Sequence, residues 1–156
     1  MNDVKEFRRC LGKFATGVAV VTCSDDRGNP RGMTANSFSS VSLEPRLVLW
    51  NIAKVSNSLE AYLAAGSFAI NILASDQQDL SAHFARSNHT LFDAIDVDWS
   101  ADDVPLIPGA LACFECRTHA IHDTGDHHII IGEVVRFEAT NGDPLMFFGG
   151  DYAAIA

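Results

Sequence analysis

Long apolar runs are missing from this chain of 156 residues, and nothing in it approaches the roughly 20 apolar residues of a membrane helix. The amino end, residues 1–10, is charged and lacks the apolar centre of an export signal. Cysteine is scarce, at four (Cys10, Cys23, Cys113, Cys116), and without an export signal the expectation is reduced thiols in the cytoplasm. Positive charge is also in deficit. Eleven Lys and Arg stand against 20 Asp and Glu, a net charge of −9. This argues against nucleic acid, whose binding begins with phosphate neutralisation by basic side chains. A small phosphorylated ligand stays open, because one cation and a few backbone N–H groups suffice locally. The dinucleotide fingerprint GxGxxG, the phosphate loop GxxxxGKS/T and the hydrolase elbow GxSxG are all absent. No internal repeat, low-complexity tract or linker interrupts the chain, so residues 1–156 are expected to form one domain.

What is present is a run of short strand signals. A hydrophobic fraction of 47% with 20% charged residues is ordinary for a folded domain. Asp3 and Glu6 form a capping-box pattern before Phe7, Leu11 and Phe14, which predicts an amphipathic helix closed by Gly17. Val18 to Cys23 reads as a buried strand. The turn residues 25–30 reverse the chain into a second strand from Arg31, and Glu44-Pro45 marks the turn after Ser42. Leu47 to Trp50 is the third strand. Asn57 and Glu60 suggest a capped helix carrying Leu59, Tyr62 and Leu63 and ending at Gly66. Phe68 to Leu73 is a strand, and 75–78 open a helix with Leu80 and Phe84 inward. Residues 86–109 read as a long polar loop anchored by Phe92 and Trp99. Two long strands, Ala110 to His122 and His127 to Ala139, flank a tight turn at Asp123–Asp126, and Leu145 to Phe148 makes a last short strand. At least six strands with short reversals, and no regular strand–helix alternation, predict a mainly β (α+β) antiparallel barrel with a few flanking helices.

Two polar clusters bracket the third strand. Thr34, Asn36, Ser37, Ser39, Ser40 and Ser42 precede it; Lys54, Ser56 and Ser58 follow it, just ahead of a helix. Capping and loop solvation are the common uses of such residues. Placed on both sides of one buried strand, they favour a flat polar heterocycle with a phosphate. Backbone N–H groups near Asn36 to Ser39 would serve its ring, and the second cluster its anion. Other candidates are weaker. Cys113 and Cys116, three apart on a strand, point to opposite faces, as do His119 and His122, and adjacent His127 and His128; no metal site is expected. Asp96, Asp98, Asp102 and Asp103 read as a solvated face. For His127, beside the tight turn, two readings stand: a donor or ring face toward a ligand, or a solvated turn histidine.

Phe7-Arg8, Leu11 to Val18, Gly32 to Pro45, Lys54 to Ser58, Phe68 to Leu73, Leu80 to Ala85, Gly109 to Ala112, Gly125-Asp126-His127 and Gly150-Asp151-Tyr152, in that order and spacing, resemble the short-chain flavin reductase family. These are reductase components of two-component flavin monooxygenases, and the resemblance runs from about residue 5 to 152. It implies an FMN-binding split β-barrel working as a homodimer. It implies an NAD(P)H:flavin oxidoreductase that passes a hydride from nicotinamide C4 to N5 of FMN or FAD, the reduced flavin then leaving for a separate monooxygenase. By the same resemblance, Thr34, Ala35, Asn36, Ser37, Phe38 and Ser39 contact the ring, with Asn51 and Val55 also in the flavin site. Lys54, Ser56 and Ser58 hold the phosphate, and Phe84, Ala85 and Arg86 lie along the flavin. His127, as the catalytic candidate, borders the nicotinamide with Phe148, Gly150 and Tyr152. Two residues depart from the family pattern: Arg46, where a second proline is usual, and Gly149, where a larger, often basic residue is common. The alternative function is a flavin-holding electron carrier of the same barrel, without appreciable NAD(P)H turnover.

Overall fold

The computed structural model describes residues 3–86 and 91–156; residues 87–90 of the expected polar loop lie outside them. Helix α1 (Asp3–Leu11) is followed by β1 (Thr16–Gly17), β2 (Ala19–Ser24), β3 (Pro30–Ala35), β4 (Ser39–Leu43) and β5 (Arg46–Ala53). Then come α2 (Leu59–Ala64), β6 (Ser67–Ile72), a 3-10 turn (Ser75–Gln77), α3 (Gln78–Phe84), β7 (Asp98–Trp99) and β8 (Pro105–Leu106). The long strands β9 (Ala112–Thr124) and β10 (His127–Ala139) precede β11 (Met146–Phe148) and β12 (Asp151–Ala153).

Seven strands make one antiparallel sheet in the order β3-β2-β6-β9-β10-β5-β4. Its outermost strands, β3 and β4, are consecutive in sequence and joined only by residues 36–38. A flat sheet of that many strands is about 29 Å wide at about 4.8 Å per strand. The link from Ala35 to Ser39 reaches about 14 Å. The sheet must therefore curl until its edges nearly meet, which makes the expected antiparallel barrel, split along the line where β3 and β4 do not pair. β1, β11 and β12 form a separate small sheet.

The continuous apolar run of β2 has a simple cause: both of its faces are covered. Ala19, Val21 and Cys23 join Trp50, Ile52, Tyr62, Phe68, Ile70 and Ile130 inside the barrel. Val18 and Val20 face an outer layer with Leu73, Phe84, Leu91, Ile107 and Leu145. Tyr62, from α2, plugs the barrel interior, its ring edge-on to Trp50 at 4.9 Å and its hydroxyl donating to the Val21 carbonyl at 2.6 Å.

Several expectations are corrected. The first helix ends at Leu11, not Gly17, and its Glu6 carboxylate takes the Arg9 guanidinium at 2.9 Å instead of closing a capping box. The strand predicted from Arg31 ends at Ala35, and after residues 36–38 have carried the chain across the split a separate strand, β4, leads to the Glu44–Pro45 turn. At α2 the cap is Ser58 with no side-chain cap bond, and not Asn57; the Ser56 hydroxyl takes the Ser58 N–H at 3.2 Å and turns the chain there. Trp99 is 50% exposed on the small β7–β8 hairpin, where it pairs with Pro105, and Val104, Pro105 and Ile107 are the buried residues of that segment. β12 was not foreseen. At Arg46 the chain leaves a turn through the Glu44–Pro45 peptide, and the guanidinium lies 5.2 Å over the Phe137 ring. Cys113 and Cys116 sit in separate apolar clusters on opposite sides of β9, and burial pushes both thiols up to about 12.

Candidate functional site

The outer edge of β3 and the end of α3 face each other across a groove. Its first recess is lined by Arg31, Thr34, Ser56, Asn57, Ser58, Phe84, Ala85 and Arg86. Thr34 and Ala85 also belong to the next recess, with Ala35, Asn36, Ser81, Phe147 and Tyr152. Asn36 and Phe147 lead on to Arg8, Leu11, Phe14, Thr16 and Gly150. Arg8 and Gly150 then open onto Lys5, Arg9, Lys13 and Gly149. Shared walls make this one groove, running from the start of α2 to α1.

Its walls are held by specific contacts. Gly32 has to lack a side chain: a Cβ there would come within 2.8 Å of the Phe84 ring, so α3 packs flush on β3. The Thr34 hydroxyl donates to the Ser81 carbonyl at 2.6 Å, and the Ser81 and Tyr152 hydroxyls meet at 2.7 Å. That chain of bonds ties β3, α3 and β12 together across the middle of the groove. Phe84 packs on Phe92 at 5.1 Å, and the His83 ring meets the Leu91 carbonyl. At the first recess Arg31 reaches Asp25 at 3.1 Å. The Asp25 carboxyl is held down at about 2, chiefly by the Asn29 backbone N–H, with Arg27 N–H and Arg31 adding to it.

The structure gathers Thr34, Ala35, Asn36, Ser56, Ser58, Phe84, Ala85, Arg86, Gly150 and Tyr152 along the groove. The other candidates stand outside its lining. The Ser37 hydroxyl turns to β5, accepting the Asn51 N–H at 2.9 Å and donating to the Asn51 carbonyl at 3.2 Å. Phe38 stacks on Phe114 at 5.5 Å, Ser39 begins β4, and Val55 is 92% exposed. Lys54 pairs with Asp123 at 2.5 Å across the hairpin. Phe148 lies under the Lys13 ammonium at 5.7 Å. His127 is at the hairpin tip, its Nδ1 2.6 Å from Asp126. The Asp126 carboxyl is lowered, chiefly by that bond. Arg31, Ser81, Phe147 and the basic residues of α1 were not foreseen as lining; nothing local in the sequence marks them.

Three features fit a phosphorylated planar heterocycle. Among the described residues, the amides of Asn36, Ser37 and Phe38 enter no backbone hydrogen bond, leaving donors along the split. The side-chain oxygen of Asn51 is buried there without a partner. Arg86 makes no ion pair among the described residues, and its guanidinium flanks the Ser56 and Ser58 recess. α2 is only six residues long, so its dipole is weak and the arginines supply most of the positive charge.

Residues 11–156 match the flavin reductase like domain. The chain belongs to that flavin reductase-like family. It is 54% identical over 150 residues to the Agrobacterium fabrum protein named FMN reductase (NADH) SmoA, covering 95% of this chain and 84% of that one. It is 44% identical to the reductase component of the flavin-dependent trigonelline monooxygenase of Acinetobacter baylyi, with 97% of this chain matched. The chain spans 49% of that relative, about half its length. Among solved structures, the Streptomyces globisporus NADH:FAD oxidoreductase SgcE6, in complex with NAD and FAD fragments, superposes with a TM-score of 0.93 at 38% identity, covering 99% of this chain and 93% of that one. The flavin reductase-like family thus accounts for the split barrel as well as the quoted motifs.

Proposed function

We propose that this chain is an NAD(P)H-dependent flavin reductase that transfers a hydride to FMN or FAD and supplies reduced flavin to a partner monooxygenase. One observation carries the reading within the molecule: hydroxyls and a guanidinium at one end of a groove lead to unbonded backbone amides at the split. The bound flavin provides the hydride-accepting ring and the nicotinamide the hydride. The protein's part is placement and charge. Ser56, Ser58 and Arg86 hold the phosphate, and the amides of residues 36–38 donate to the ring edge, where negative charge develops. The Ser81–Tyr152 contact fixes the wall against which the two rings stack. Lys54 is engaged with Asp123 and would have to release it to reach the phosphate. His127, next to Asp126 at the hairpin tip, serves the nicotinamide side with Phe148, Gly150 and Tyr152.

Relatives named for NADH support NADH as the hydride donor. The chain acts as a single split-barrel domain and a homodimer. The outer face of α1 carries Val4, Phe7 and Leu11 exposed, with Phe14 just beyond at 81%, and Leu43 on β4 is 88% exposed; a second copy would cover such apolar surface. No helix among the described residues is long and apolar enough to cross a membrane, and four free cysteines support the cytoplasm as its compartment.

Steady-state NADH oxidation with added FMN or FAD tests the reading. Turnover many times over, limited by free flavin, is the expected result. A protein that copurifies with stoichiometric flavin and consumes no more NADH than one equivalent is an electron carrier instead. His127→Ala is expected to raise the KM for NADH about fivefold, the equivalent of one hydrogen bond of about 1 kcal/mol, with flavin affinity unchanged. Wild-type NADH kinetics in that variant would remove His127 from the site.

A further inference from the structure

Ser81 sits at the middle of α3 with no solvent exposure, and it holds two other elements through two different groups. Its carbonyl accepts the Ala85 N–H at 3.1 Å, as helix geometry requires, and also the Thr34 hydroxyl of β3 at 2.6 Å. Its hydroxyl meets the Tyr152 hydroxyl of β12 at 2.7 Å. The two oxygens share one bond, and burial decides which of them donates. A hydroxyl shut away from water has to place its proton on an acceptor. A helical serine ordinarily finds one in the carbonyl four residues back. Ser81 makes no such bond, and among the described residues the Tyr152 oxygen is the one acceptor within its reach. Ser81 therefore donates and Tyr152 accepts.

That direction leaves the Tyr152 proton over. A phenol carries a single proton, and with the approach from Ser81 occupied it turns away from α3. Among the described residues the Tyr152 hydroxyl has no second hydrogen-bond partner. It borders the central recess, a cavity of about 290 Å³ that Tyr152 lines with Thr34, Ala35, Asn36 and Phe147. The ring cannot swing aside. Phe147 packs edge-on to it at 5.7 Å, and the two residues are paired across β11 and β12. An O–H that accepts a hydrogen bond also donates a stronger one. The recess thus faces a fixed, polarised donor.

We propose that Ser81 is a positioning residue, which aims the Tyr152 hydroxyl as a donor at a carbonyl oxygen on the edge of a ring bound in the central recess. This rests on the flavin reductase reading and extends it. Two ligands of that reaction bring such an oxygen, the nicotinamide through its carboxamide and the flavin through its ring carbonyls. Ser81 touches neither and acts through Tyr152. Stacking alone lets a ring turn in its own plane; a donor at a fixed point selects one rotation and so one alignment of the reacting atoms.

The test uses Ser81→Ala, Tyr152→Phe and the double variant in the full chain. The ligands are FMN, riboflavin, NADH and reduced thionicotinamide adenine dinucleotide, whose sulfur is a weaker acceptor than the carboxamide oxygen. If the carbonyl is that of the nicotinamide, each single variant raises the KM for NADH about fivefold, one hydrogen bond's worth. The KM for the thio analogue then moves less than about twofold, and FMN affinity stays at wild type. If the carbonyl is that of the flavin, the dissociation constants for FMN and riboflavin rise together about fivefold and both nicotinamide KM values stay. Either result supports the proposal and names the ring, provided the double variant loses no more than Tyr152→Phe alone. Wild-type constants in Ser81→Ala overturn it, whatever Tyr152→Phe does. So do losses that multiply in the double variant, and losses of one size for NADH, its thio analogue and flavin, the mark of a loosened wall. Should Ser81→Ala not fold, Ser81→Cys takes its place, with similar volume and only a weak donor. Failure of the underlying reading would show separately, as wild-type protein that does not oxidise NADH with added flavin.

Discussion

Asn71→Leu is expected to lower the unfolding free energy by about 3–5 kcal/mol, the sum of two or three buried groups orphaned at about 1–3 kcal/mol each. Asn71 is wholly buried on β6 and is the polar hub of the molecule. Its amide donates to the Val20 carbonyl at 2.9 Å and the Thr22 hydroxyl at 3.2 Å, and its oxygen accepts the Ile107 N–H at 3.0 Å and the Cys113 thiol at 3.6 Å. Leucine fills a similar volume and offers none of these partners. The Thr22 hydroxyl in turn donates to the Pro105 carbonyl at 2.5 Å, so the loss reaches the β7–β8 segment that covers the outer layer. Urea titration would show a lower midpoint with little change in slope. A loss under about 1 kcal/mol would mean that water replaces the side chain and that the hub is not needed.

The second large effect concerns affinity. Ser56→Ala combined with Arg86→Ala is expected to weaken FMN binding about 100-fold, since a charge-assisted contact with a phosphate and one neutral hydrogen bond together approach 3 kcal/mol. Riboflavin, which has the ring and no phosphate, separates this from general damage. Its affinity should change by less than about threefold, and the rate at saturating FMN should follow the wild type. Parallel losses for FMN and riboflavin would place Ser56 and Arg86 elsewhere than at the phosphate.

The elements written locally were legible. The β9–β10 hairpin followed from two long strand signals around the Asp123–Asp126 turn, with β9 running on to Thr124, and β2 from its unbroken apolar stretch. Both polar clusters were visible, and ten of the named residues do line one groove. What could not be read was decided by distant partners. Asp123 captures Lys54 from 69 positions away, and no pattern around Lys54 announces it. Ser37 looks like its neighbours in sequence, yet its hydroxyl is spent on the Asn51 backbone. Arg31 and Ser81 face the groove only because α3 folds back onto β3. The periodicity of Phe7 and Leu11 gave a helix, which stops short of Phe14, but not that its apolar side would be left uncovered within one chain.

The split between β3 and β4 has a further consequence. Everywhere else the curled sheet is stitched by ladders; along this line, among the described residues, three residues of chain, the Ser37–Asn51 contacts and the packing of Ala35 and Phe38 on the core stand in for a ladder. A ligand that hydrogen-bonds the amides there would act as a removable stitch. Affinity and resistance to opening would then be two readings of one quantity, and each release of product would return the barrel to its looser form. A reductase whose product must depart would have a use for a seam that its ligand helps to close and whose reopening lets that ligand go.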